Sequence, residues 1–331
     1  MPGDRTLFVN VKPGSVGLPA PLAAAAVIAA AQDRFRVMLE LTERALFTHP
    51  AELMRTVRAA RDLGWGIALD DVGADPASLA MLPFVAPDVI KLDLSLIQDS
   101  PNSAQARVMA AVMAHAERTG ASVLAEGVET AAHLERALAL GAVFGQGWHF
   151  GRLGPIEVLP PAETQIPFAQ GYDTPPWTPF DLIAHHGSLR IGHKQLLFAL
   201  SRFVEDQALR LGAPPVVLAA FQTADRFTPA TRRRYQQIAT LCPFVGALGA
   251  DLPATPIPGV RGATLTAHDP LRGEWTVVVV GDHYAGALIA RDLGDDGPDN
   301  DRRFEFLVTH DRPIVLAAGR SLMSRLLPLS T

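Results

Sequence analysis

The chain has 331 residues, 48% hydrophobic and 19% charged, and carries a formal charge of −5. This is the balance of a globular protein with apolar material for two cores, and its acidic sign argues against a surface that grips nucleic-acid polymers. One cysteine, Cys242, excludes an internal disulfide framework and any multi-cysteine metal site, which makes the cytoplasm the natural compartment. No signal-peptide pattern opens the chain, and no membrane span is expected. The stretch most like a span, residues 18–31, is alanine-rich, contains two prolines and falls short of the roughly 20 residues needed, so it reads as a buried helix.

In chain order, strands are expected at residues 7–11, 35–41, 65–69, 89–92, 122–125 and 143–145, with helical patterns between them. Val108 and Val112 share the face of a helix that Gly120 ends; Leu134 and Leu138 lie one turn apart in a helix capped at Thr130 and stopped by Gly141. Strands separated by helices imply right-handed crossovers and a parallel sheet. Residues 156–179 are dense in proline and lack a clean period, the signature of a linker between a first domain at 1–155 and a second at 180–331. The second half is expected to hold helices at 194–211, 229–241 and 313–327, and strands at 216–221, 244–248, 275–280, 285–290 and 304–309. It reads as a compact, smaller α/β domain.

The informative feature of the first half is what stands at the strand ends. Asn10 ends LFVNV, Glu40 lies in VMLELTE, Asp70 and Asp71 close GIALDD, Lys91 and Asp93 lie in VIKLDL, Glu126 follows VLA, and Gln146 follows AVFG. One carboxylate after a strand is ordinarily a helix cap. A functional group on each of six parallel strands instead describes the mouth of an α/β barrel, where such barrels place their chemistry. Hard oxygen donors of this kind suit Mg2+ or Mn2+. Adjacent carboxylates can be shared between two metals about 4 Å apart, a site that polarises a phosphodiester and ionises water near neutral pH. A lysine there holds phosphate or water, and a further glutamate takes a proton.

The strings LFVNV, ELTE, DDVG, KLDLSLI, AEGVET and QGWHFGRLGP, in this order and spacing, resemble EAL domains from Leu7 to about Pro155. The resemblance implies a TIM-like (β/α) barrel that hydrolyses cyclic di-GMP to pGpG with Mg2+ or Mn2+. It implies metal ligands at Asn10, Glu40, Asp70 and Asp71, a phosphate or water contact at Lys91, and a general base at Glu126. Asp93 and Gln146 would then line the substrate site, with Thr42, Glu43 and Glu129 supporting the loops. Such domains act as homodimers or with a partner chain.

Two departures from the family pattern shape the expectation. Only nine residues precede Asn10, so the Glu-Ala-Leu motif and the first two barrel units are absent, leaving an incomplete barrel of about six units of eight. Six parallel strands cannot close, so the expectation is either a truncated or mis-started version of a longer protein or another chain or region that covers the two open edges. The loop after the aspartate pair reads DVGADPASL where the family has DFGTGYSSL, and Pro76 stiffens it. Weak or absent hydrolysis is therefore expected, the alternative being an inactive EAL protein that binds cyclic di-GMP or a protein partner as a regulator.

In the second half SRFVEDQ, FTPATRRRYQQIA, GEWTVVVVGDHYAGALIARDL and RRFEFLVTHDRPIVLAAGRSL resemble a DICT domain, which implies a sensory or regulatory role. Arg232, Arg233 and Arg234 read as a solvated basic face. His185, His186 and His193 read as loop histidines rather than metal ligands, and residues 295–301 as an exposed acidic turn between strands. Trp275 and Phe304 are expected in a core or interface.

Overall fold

A computed structural model describes residues 5–11, 34–42, 45–152, 154, 165–168 and 178–326. The alanine-rich stretch at 18–31, Glu43 and most of the expected linker lie outside the described residues. Contacts divide the chain into two compact units, one running to Tyr172 apart from His49–Met54, the other from Asp173 onward. No helix among the described residues is long and apolar enough to cross a membrane.

The first unit is built on six parallel strands, β1 (Thr6–Val11), β2 (Arg36–Thr42), β3 (Gly66–Val72), β4 (Val89–Leu92), β5 (Ser122–Ala125) and β6 (Phe144–Gly145). They lie side by side in sequence order, as the strands of a (β/α) barrel do, with β1 and β6 at the ends of the sheet. Among the described residues, the longer helices between them in sequence are α1 (Pro50–Asp62), α2 (Ser103–Thr119) and α3 (Ala131–Ala139). The ends of α2 are written in its residues. Asn102 and Gln105 form a reciprocal capping box at its start, and Gly120 takes the left-handed conformation at its end. Val108 and Val112 are buried on its inner face, as their spacing predicts. In α3 the outcome differs: Thr130 caps the helix, but Leu138 is 62% exposed and Ala137 takes the buried position.

Side chains two apart on a strand share a face, and this period sorts the sheet into layers. Phe8, Met38, Ala68, Val89, Leu124 and Phe144, one from each strand, form a single apolar cluster. From within the expected linker, Ile166 is buried in this cluster and Phe168 packs against it. The Arg36 guanidinium lies 4.0 Å from the Phe168 ring centre. Gly66 has no side chain where a Cβ would meet the Phe168 ring at 2.8 Å and the Met38 methyl at 2.7 Å, so this close approach requires glycine.

The second unit is a seven-stranded mixed sheet of β7 (Arg190–His193), β8 (Val216–Thr223), β9 (Phe244–Ala250), β10 (Arg261–Thr264), β11 (Glu274–Val280), β12 (Ala285–Asp292) and β13 (Arg303–Thr309). Its order is β10-β9-β8-β11-β12-β13-β7, with β8, β9 and β10 parallel and the remaining pairs antiparallel. Three α-helices complete it among the described residues: α4 (Lys194–Ala208), α5 (Pro229–Leu241) and α6 (Arg312–Met323). Phe221, Phe227 and Tyr235 meet with ring centres 5.2–5.6 Å apart in its main core cluster. Glu274 is buried at the start of β11 and accepts a hydrogen bond of 3.0 Å from the Phe180 backbone N–H.

The expected basic face on α5 is only partly that. Arg233 is exposed, but Arg234 donates to Glu205, Asp206 and the Arg202 carbonyl, and Tyr235 donates to Glu205. A buried carboxylate has captured the third arginine of the run, because Glu205 is 4% exposed and needs a cation and donors.

Candidate functional site

Two residues beyond the apolar layer, on the same face of each strand, stand Asn10, Glu40, Asp70, Lys91, Glu126 and Gln146. The register steps along the sheet: Asn10 lies opposite Glu40, but Asp70 lies opposite Thr42, two residues beyond Glu40, and Glu126 follows two residues beyond Leu124, the partner of Lys91. The strand-end constellation is thus gathered at one end of the sheet. Phe8, Asn10, Glu40, Lys91, Leu124 and Gln146 line a cavity there of about 310 Å3.

Lys91 is the centre of the site. Its ammonium lies 2.9 Å from Glu40, 2.7 Å from Asp70 and 2.8 Å from Glu126, so carboxylates from three other strand ends converge on one buried cation. Burial works to lower its ionisation, but the hydrogen bonds to Asp70, Glu126 and Glu40 outweigh it and hold the ammonium well above its ordinary pKa. Burial pushes the Glu126 carboxyl up, and the Lys91 charge pulls it only part of the way back.

Asp70 and Asp71 present a geometric problem, since neighbours on a strand point to opposite faces. A local irregularity solves it. The β3–β4 register shifts between Leu69 and Val72, and Asp71 adopts φ +58°, a left-handed conformation that costs most non-glycine residues about 1–2 kcal/mol and that aspartate tolerates better. With this twist, Asp70, Asp71 and Glu126 offer carboxylate oxygens that all lie within 4.8 Å of one another. The loop beyond it enters a 3-10 turn at Pro76–Met81, capped by the Asp75 carboxylate, which accepts from the Ala77 N–H at 3.0 Å.

The remaining expected residues are placed differently. The Asp93 carboxylate caps the short helix Leu94–Gln98, accepting from the Ser95 N–H at 2.9 Å. Glu129 is exposed beyond Glu126, with its backbone N–H directed at His133 Nδ1. Thr42 is half-buried at the end of β2. Sequence reasoning did not single out Gly147, which follows Gln146 at φ +146° with a Cβ position only 2.3 Å from the Val128 carbonyl. That close approach joins the Gln146 and Glu126 loops, since Val128 donates to the Gln146 carbonyl at 3.0 Å. The Gly after Gln in QGW was the available signal.

Residues 1–153 match the family model of the EAL domain, and residues 184–293 match the model described as "Sensory domain in DIguanylate Cyclases and Two-component system". The chain is 35% identical over 120 residues to the cyclic di-GMP phosphodiesterase RocR of Pseudomonas aeruginosa, covering 36% of this chain and 31% of that protein. It is 31% identical over 159 residues to the cyclic di-GMP phosphodiesterase PdeF of Escherichia coli, covering 47% of this chain and 21% of that one. A solved manganese and cyclic di-GMP complex of Klebsiella pneumoniae BlrP1 aligns at 30% identity and a TM-score of 0.40, covering 45% of this chain and 39% of that one. The chain thus spans less than half the length of these relatives. With the motifs and the family matches in agreement, the chain carries a member of the EAL domain family at residues 1–153 and a member of the DICT sensory family at residues 184–293.

Proposed function

We propose that the chain is a cytoplasmic cyclic-di-GMP signalling protein whose first unit binds cyclic di-GMP with Mg2+ or Mn2+ at the strand-end mouth, under regulation by the second. The observation that carries this reading is the convergence of Glu40, Asp70 and Glu126 on Lys91 from separate parallel strands. The donors fit such a cation. Asp70, Asp71 and Glu126 offer hard oxygens close together, and Glu40 and Asn10 stand on the neighbouring strands. When bound, a divalent cation there supplies Lewis acidity for a phosphate and ionises water near neutral pH.

The chain's own residues then have distinct tasks. Lys91 offers a fixed positive charge to a phosphate. Glu126, whose carboxyl burial raises above its ordinary value, is suited to take a proton at its carboxylate. Gln146 and Asp93 contact the substrate, and Thr42, Glu43 and Glu129 support the loops around it. The same reading has the unit act as a homodimer or with a partner chain.

Hydrolysis to pGpG is weak in this chain, because the loop that carries Asp71 reads DVGADPASL where the family has DFGTGYSSL, and Pro76 stiffens it. Binding without turnover, as a regulator, is the second reading, and the altered loop favours it. Titration calorimetry with cyclic di-GMP, with and without Mn2+, and chromatography of the product separate the outcomes. Saturable, Mn2+-dependent binding with little pGpG is expected. No binding in either condition would reject the reading, and robust pGpG production would reject weak turnover.

Asp71 gives a sharper test. Asp71→Asn keeps a residue that tolerates the left-handed backbone and removes one carboxylate, so Mn2+ affinity should fall about tenfold or more with little change in stability. Asp71→Val should lose the same affinity and a further ~1–2 kcal/mol of stability. Unchanged Mn2+ affinity in the asparagine variant, read by calorimetry, would remove Asp71 from the ligand set.

A further inference from the structure

The second unit holds a cavity of its own, about 380 Å3, bounded by α4, the end of β8, the turn that follows it, and the residues leading into β13. That volume lies within the range of small-molecule sites. Its walls are unusual for a surface hollow. Phe198, Phe221, Trp275 and Phe304 contribute aromatic rings, with Trp275 and Phe304 meeting edge to face at 5.9 Å. Lys194, Arg226 and Arg302 stand together on one side, and all three reach a single carboxylate, Asp299.

Three observations mark this as a built site. Gln222 is 8% exposed and adopts φ +65°, a strained conformation that persists in folded proteins chiefly where surrounding structure enforces it. The β8–β9 register shifts between Ala220 and Thr223, and with that irregularity the adjacent residues Phe221 and Gln222 both line the cavity. The Gln222 amide oxygen accepts from Arg302 Nη2 at 3.1 Å, and Asp292 holds the same guanidinium from behind. Position and charge of the arginine are therefore fixed before any ligand arrives.

The electrostatics are those of an anion site with an internal occupant. Burial lowers the ionisation of Arg302, and the neighbouring Arg226 charge lowers it further, the mark of crowded cations. Hydrogen bonding from Lys194 holds the Asp299 carboxyl below its ordinary range, although its side chain remains 47% exposed. Asp299 belongs to the turn between β12 and β13, which contains Gly294 and Gly297 in positive-φ conformations. A half-exposed carboxylate on such a turn can leave the cations when another anion competes for them.

We infer that this cavity binds a small planar aromatic carboxylate, its ring among Phe198, Phe221, Trp275 and Phe304, its carboxylate displacing Asp299 from Lys194, Arg226 and Arg302. Asp225 also faces the cavity and opposes a second negative charge, which selects a carboxylate over a phosphate dianion. Displacing Asp299 releases the tip of the turn from its three cations while Arg303 still holds the base of the turn through Asp295, so occupancy becomes a local change at the tip.

The test is titration calorimetry of the full chain with 2-naphthoate, with 2-naphthalenemethanol as the neutral counterpart, and with inorganic phosphate. Naphthoate should bind at least about tenfold more tightly than either of the others. Arg226→Gln should weaken naphthoate about tenfold, and Asp299→Asn should strengthen it several-fold by removing the internal competitor. Phe198→Ala, at a ring 47% exposed and so tolerated by the fold, should weaken naphthoate and the neutral ligand alike. Failure of naphthoate to bind both the unaltered chain and the Asp299→Asn variant would overturn the inference. So would equal binding of the neutral ligand or of phosphate, or weaker naphthoate binding after Asp299→Asn.

Discussion

Lys91→Met is expected to cost the metal-free first unit about 3–5 kcal/mol. The ammonium side chain is 6% exposed and lies within 2.9 Å of three carboxylates, so its removal leaves Glu40, Asp70 and Glu126 facing one another without a counter-charge. Two agents should restore the variant. Mn2+ should stabilise it more than it stabilises the unaltered chain, because a divalent charge replaces the missing one. Acid should act in the same direction. Burial already sets the Glu126 carboxyl above its ordinary value, so its folded form binds the proton more tightly and the variant gains stability as pH falls through that value. Urea titration in EDTA, followed by amide exchange in β2 to β5, measures the loss. An unaltered midpoint for the variant would mean that Lys91 does not hold these carboxylates together.

The second large effect concerns pH and the second unit. Burial raises the Glu274 carboxyl from 4.5 to about 7, with Asp181 adding to the shift and the hydrogen bonds from Thr178 and Phe180 and the charge of Arg325 opposing it. The folded form therefore binds the proton more tightly than the unfolded one. This stabilisation is full below pH 4.5 and is lost as pH rises through about 7. Stability of the second unit should decline by roughly 3 kcal/mol between mildly acidic and mildly basic solution. Glu274→Gln keeps an acceptor for the Phe180 N–H and cannot ionise, so most of that slope should vanish. Urea midpoints followed by methyl signals of β11 at several pH values decide it, and equal slopes in the two proteins would assign the pH dependence elsewhere.

Much of this was legible in the residues because parallel strands turn a linear pattern into a spatial one. Strands at Val89–Leu92 and Ser122–Ala125 and the helix at Pro229–Leu241 lie where their apolar runs and caps place them. Once the strands are parallel and in register, polar residues at their ends must meet, and Glu40, Asp70, Lys91 and Glu126 do. What was hidden depends on partners remote in sequence. Arg190–His193 and Arg261–Thr264 were not foreseen as strands, since both are four-residue edges rich in charge and glycine with little apolar signal of their own. The left-handed turn at Asp71 was invisible too, because an aspartate pair reads the same whether its side chains diverge or converge. Arg234 looked like its neighbours until Glu205, from another helix, was found beside it.

The two sheets differ in when they can be made. Every strand of the first pairs with its neighbour in sequence, from β1 with β2 to β5 with β6, so a chain leaving the ribosome can add them one at a time. The second sheet has no such schedule. Its first strand, β7, pairs with its last, β13, setting His193 against Arg303, and β8 must hold a place for β11 while β9 and β10 are laid down on its other side. Synthesis through β13 must therefore finish before the edge at β7 can close. Until then β7 has no strand to pair with, a non-local closure of the kind that costs chain entropy before it is rewarded.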